Sequence, residues 1–201
     1  MSEAHRHGRT DWKKTAVVAL PAVLAVAASA SVMAQGALAA SFAVSGTGFQ
    51  VSSGNLKSQG LASYPQTDRD VDGEGHPVAL LGIGNATLSD ICQAAQVKSP
   101  VGTVVFKLTA GGDASQVTAS DLVIDGEDLV GDARFGTAEI GRDASTLDAV
   151  NGVQGERGKF GLQARGIEVA EVRSHAWSAT GGNFRLKGMK VDVSSGGKKC
   201  F

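Results

Sequence analysis

Six consecutive residues, Asp68-Arg69-Asp70-Val71-Asp72-Gly73, carry the D-x-D-x-D-G spacing of a calcium loop. Carboxylates at alternate positions can converge on one ion while the glycine permits a sharp turn. Asp68, Asp70 and Asp72 are therefore candidate calcium ligands, and a metal held there would brace an adhesion module. The place of the bidentate Glu that completes an EF-hand is taken by Ala79, and the flanks 61–66 and 78–83 lack a helical pattern. A solvated acidic turn is the competing reading. Hydrolase chemistry finds less support, because no serine sits in the G-x-S-x-G turn that exposes a nucleophile in front of backbone oxyanion donors. His76 and His175 are the histidines beyond the N-terminal segment, so an esterase triad would have to assemble around one of them in space. Cys92, Cys200, His76 and His175 contain no close ligand pair of the kind zinc needs. The phosphate and dinucleotide fingerprints are absent, and Gly82-Ile83-Gly84-Asn85 reads as a turn. Trp177 and Phe184 either line a hydrophobic ligand site or pack into the core.

The elements that would position these residues follow from composition and patterning. The 201 residues include 27 glycines, 10 aromatic residues and 19 basic against 20 acidic residues. That balance gives no basic face for nucleic acid. Arg6, Arg9, Lys13 and Lys14 precede an uncharged apolar stretch from Thr15 to Ala34, the layout of an export signal. Twenty residues at about 1.5 Å each span a hydrocarbon core, so residues 15–34 suffice for a retained anchor. Ala37-Leu38-Ala39 offers the small-x-small pattern for cleavage before Ala40. Both readings place residues 40–201 outside the cytoplasm, secreted or anchored to the membrane and facing outward, with segment 1–39 as signal peptide or anchor. The first 39 residues hold four basic and two acidic residues, which leaves 15 and 18 in a mildly acidic domain. In that compartment the paired count of Cys92 and Cys200 reads as one structural disulfide.

Beyond residue 40 the apolar residues alternate with period two and are punctuated by Gly, Asp, Asn and Ser, which predicts short strands joined by tight turns. Strands are expected at Phe42–Val51, Val78–Ile83, Val104–Thr109, Leu122–Asp125, Arg134–Ile140, Phe160–Val172 and Asn183–Val193, the last with a bulge at Gly188. Short helices are expected at Asp90–Val97 and at Ala144–Val150, the second capped by Asp143. Segments 66–75 and 152–158 read as loops. The expected fold is a mainly β single domain, a sandwich or open barrel, with a β-solenoid as the alternative suggested by an echo between Phe160-x-Leu162 and Phe184-x-Leu186.

The stretch Ala34 to Gly46 resembles the signal junction of an uncharacterised exported-protein family of actinobacteria, particularly Streptomyces. Ile91-Cys92-Gln93, Leu108-Thr109-Ala110-Gly111, Ile140 to Leu147, Ala176-Trp177 and Cys200 resemble it as well, although the family pattern has glutamine where this chain has Arg142. Members are frequently labelled "cholesterol esterase", which implies ester hydrolysis, and their genes often neighbour one for a small multi-spanning membrane protein. The resemblance thus implies a role at the cell envelope. The expectation is a non-enzymatic envelope module that binds a membrane partner or an apolar ligand, with an esterase as the alternative.

Overall fold

The computed structural model of the chain describes residues 45–100, 102–112 and 115–201. The basic flank, the apolar run 15–34, the junction before Ala40 and the start of the expected strand at Phe42 lie outside the described residues. Among those described, no helix is long and apolar enough to cross a membrane, a statement that does not extend to strands.

The strands are β1 (Phe49–Arg69), β2 (Gly75–Ile83), β3 (Ala86–Ser89), β4 (Ile91–Ser99), β5 (Gly102–Ala110), β6 (Val117–Gly126), β7 (Val130–Asp143), β8 (Phe160–Arg185) and β9 (Lys190–Ser195). They form one antiparallel sheet in the order β7-β8-β6-β2-β1-β4-β5-β9, with β3 between β1 and β6. The first half of β8 also pairs with β1, from Ser63↔Leu162 to Phe49↔Ala176, so the sheet folds back on itself. The result, among the described residues, is an open roll with free edges at β7 and β9, not a closed barrel. The open-barrel expectation is therefore met. A single sheet replaces the sandwich, and antiparallel pairing replaces the parallel coils of a solenoid.

The roll closes on a core of Leu56, Leu61, Leu81, Ile83, Leu88, Val117, Leu122, Ile167, Val169 and Val172. On the outer side of β1 and β2 a second cluster, Ala62, Leu80, Leu147, Val150 and Val153, forms where the loop after β7 lies across the sheet. Two glycines make room for that loop. A Cβ at Gly82 would come within 2.5 Å of Val153, and one at Gly60 would run into the Ala149 carbonyl oxygen. Gln163, 2% exposed, holds the loop down. Its Oε1 accepts from the N–H groups of Asp148 (2.8 Å) and Ala149 (3.1 Å). Its Nε2 donates to Glu139 (2.9 Å) and Asp148 (2.8 Å), so all four positions of the amide are used.

Several expectations are corrected. Residues 91–97 form strand β4, not a helix, because pairing with β5 along the whole length, from Ile91↔Ala110 to Ser99↔Gly102, outweighs the helix-tolerant Gln and Ala content. Asp90, at φ 48°, makes the turn into it. The helix after Asp143 shrinks to a 3₁₀ turn, Ala144–Thr146, although the Asp143 carboxylate does cap it through Ser145 N–H. Half of the expected loop 66–75 is strand, since β1 continues to Arg69 and pairs with Gly75. Gly188 is not a bulge. Its φ of 68° lies in a turn that separates β8 from β9, which pair with β6 and β5 respectively.

Candidate functional site

Phe49, the first residue of β1, pairs with Ala95 of β4 and with Ala176 of β8. Both neighbours run past it, to Ser99 and to Arg185, and a groove of about 560 Å³ opens between them. Gln50, Gln96, Lys98, His175, Trp177 and Lys199 are among its lining residues. The Trp177 ring stacks on His76 with centroids 3.7 Å apart, and its indole N–H donates to Glu127 Oε1 at 2.8 Å. The ring is thereby fixed from one face and one edge.

Beside it, Asp128 orients His175. One carboxylate oxygen accepts the His175 backbone N–H (2.7 Å) and the other lies 2.9 Å from Nδ1. Burial alone would raise the Asp128 pKa, but these bonds from His175 outweigh it and hold the carboxyl below its ordinary range. The distal nitrogen, Nε2, lies 3.5 Å from Gln50 Nε2, and the Phe201 ring packs edge-on against the imidazole. No serine hydroxyl bonds either histidine among the described residues. Ser174 gives its hydroxyl to the Asp128 carbonyl and Ser178 gives its own to the Asp125 carboxylate.

A second polar cluster joins β1, β6 and β8. Gln66 Nε2 bridges two carboxylates, Asp68 Oδ1 at 2.9 Å and Asp125 Oδ1 at 3.0 Å. Burial, then repulsion from Asp125, pushes the Asp68 pKa up. Burial also raises that of Asp125, against the bonds from Ser178, Asp68 and Gln66. Tyr64 is raised too, by burial and then by the Asp125 charge. Asp68 Oδ2 is buried with no hydrogen-bond partner. Two half-buried carboxyls in one site favour sharing a proton over holding two charges.

A model of a family of unknown function, DUF6230, matches residues 45–201. The chain belongs to the DUF6230 family. No curated protein and no solved structure matches it significantly.

This DUF6230 domain separates the three candidate calcium ligands. Asp68 faces Asp125, and Asp72 is exposed at a turn tip. The carboxylate of Asp70 is occupied by the chain itself: Oδ1 accepts the N–H groups of Asp72 (3.0 Å) and Glu74 (2.9 Å), and Oδ2 lies 3.3 Å from His76. Burial would raise the Asp70 pKa, yet these partners lower it. Among the described residues no group of three His, Cys, Asp or Glu side chains is placed to hold a metal ion. Cys92 and Cys200 are bonded, with Cα atoms 5.7 Å apart, which ties the chain end to β4. Trp177 lines the groove, whereas Phe184 is exposed at the end of β8, against Gly181. Gln50, Gln66, Asp125, Glu127, Asp128 and Ser178 carried no spacing signal in the sequence. The cross-strand register alone brings them together.

Proposed function

We propose that this chain is an exported, non-enzymatic protein of the cell envelope whose β domain binds a membrane partner. The observation that carries the reading is an apolar sheet face that is uncovered among the described residues. Register places Ala95 and Val97 of β4, Val104, Phe106 and Leu108 of β5, and Val191 and Val193 of β9 on one side of three adjacent strands. Val97, Phe106, Val191 and Val193 are all exposed, Val193 at 63%. A contiguous patch of this kind on a soluble domain marks an interaction surface. A carried apolar ligand is less well supported. The interior cavity lined by Leu56, Leu81, Ile167 and Val172 measures about 40 Å³, against the roughly 300 Å³ or more of a small-molecule site. The basic flank and apolar run before residue 40 support export, and the resemblance to envelope proteins encoded beside a multi-spanning membrane protein supports a partner in the bilayer. The esterase reading of the family label has no Ser–His contact among the described residues to build on, since His76 and His175 bond to Asp70 and Asp128.

The test uses the full chain in its native host, photo-crosslinked from position 191, on the same face. A discrete adduct with an integral membrane protein is expected, lost in the Phe106→Asp/Val193→Asp variant with a melting temperature changed by less than ~2 °C, as for surface changes. Adducts that persist in the variant would remove the reading. So would a fluorophosphonate-reactive serine whose mutation abolishes ester turnover.

A further inference from the structure

The groove beside Trp177 has the form of a missing strand. Among the described residues, Gln96 to Ser99 of β4 pair with β5 alone, because β1 reaches β4 no further than Phe49↔Ala95. The opposite wall is formed by Ala176 and Trp177 of β8 with Gly46, Thr47 and Gly48, which lead into β1 along them. One strand edge, Gln96 to Ser99 of β4, is therefore open to the groove. A free edge of unpaired N–H and C=O groups is a template for another strand. Four residues at about 3.4 Å each give it a length of roughly 13 Å, enough for one short segment. Charge selects the segment. Lys98 on β4 and Lys199 on the tail that Cys200 ties to β4 both line the groove, while the Glu127 carboxylate that also lines it is engaged by the Trp177 indole.

We propose that this groove takes one extended, acidic peptide segment of a partner protein, added as a strand along Gln96–Ser99 with its carboxylates at Lys98 and Lys199. The proposal rests on the reading of the chain as a partner-binding module and names the kind of segment it would accept. Trp177 is the sole tryptophan besides Trp12, so in a full-length Trp12→Phe chain its fluorescence reports the groove directly. The probes are N-acetylated heptapeptides of alternating valine and glutamate, the same with lysine for glutamate, and the acidic peptide with alternate backbone amides N-methylated. The acidic peptide is expected to give a saturable change and to protect the Gln96 and Lys98 amides from hydrogen exchange. Lys98→Glu/Lys199→Glu should weaken it about tenfold, as expected for two exposed ion pairs, and shift preference to the lysine peptide. Three outcomes overturn the proposal: no response to the acidic peptide, undiminished binding of the N-methylated one, or Gln96 and Lys98 amides already protected in the free chain. If any of these occurs while the Phe106/Val193 variant still loses its membrane adduct, the slot fails and the partner-binding function stands.

Discussion

Single side chains set the pH response of this domain in two opposite senses. Asp68 and Asp125 have raised pKa values in the folded chain, so the fold favours their protonated forms. Their contribution to stability is full below the ordinary carboxyl pKa of about 3.9 and is lost as pH rises through the raised folded values. Replacing Asp68 with Asn removes one charge and supplies an N–H toward Asp125. Thermal melts should show the variant ~2–4 °C more stable at pH 7, with the difference vanishing near pH 4. Asp70 and Asp128 act the other way. Their folded pKa values are lowered, so their contribution is present above about 3.9 and is lost as pH falls through the folded values. A melt-versus-pH series of the Asp70→Asn chain should therefore converge on the parent at acid pH. Gln163 carries no charge of its own, although its amide is the main cause that holds the Asp148 carboxyl below the ordinary range. Its replacement by Leu strands the Asp148 and Ala149 N–H groups and should cost ~1–3 kcal/mol in denaturant titration.

Elements rather than residues explain what could be read from the chain alone. The alternation of Val104, Phe106 and Leu108 announced β5, and Asp143 announced its cap, because both signals are local. The 26 residues of β8 did not register as one strand, since Gly166, Gly181, Gly182 and left-handed Glu171 interrupt the period where the strand bends to follow the roll. The Asp68–Asp125 pair was half legible. Asp68 stood out as part of an acidic motif, whereas Asp125 joins it only because β2 lies between β1 and β6. The same limit applies to the loop after β7, whose seat depends on two glycines on other strands. Gly60→Ala should drive its Cβ into the Ala149 carbonyl, lift that loop off β1 and cost ~1–3 kcal/mol, detectable as faster proteolysis between residues 144 and 158. At β4 the constraint is covalent. The bond from Cys92 to Cys200 closes a loop 108 residues long, and Cys92→Ala/Cys200→Ala should cost ~4–5 kcal/mol by the chain-entropy account, lowering the melting temperature by ~10 °C or more.

The whole molecule is unevenly finished. Its core lies inside the roll, while β7 and β9 end the sheet with edges that are unpaired among the described residues and carry apolar side chains, Ile140 at 72% exposure and Val193 at 63%. Bare edges of this kind promote association unless something covers them. Adding a charge at each, Ile140→Lys and Val193→Lys, should leave the melting temperature nearly unchanged and reduce concentration-dependent light scattering. The pairing of β1 with β8 sets a timetable as well as a shape. Leu61 waits for Ala164 and Phe49 for Ala176, more than a hundred residues further along. At about 5–20 residues per second the ribosome needs roughly 5–25 s to supply them. Until β8 arrives, β1 has only local hairpin partners and the roll cannot close. The chain is thus built to stay open for most of its own synthesis, the state in which a polypeptide can still be threaded.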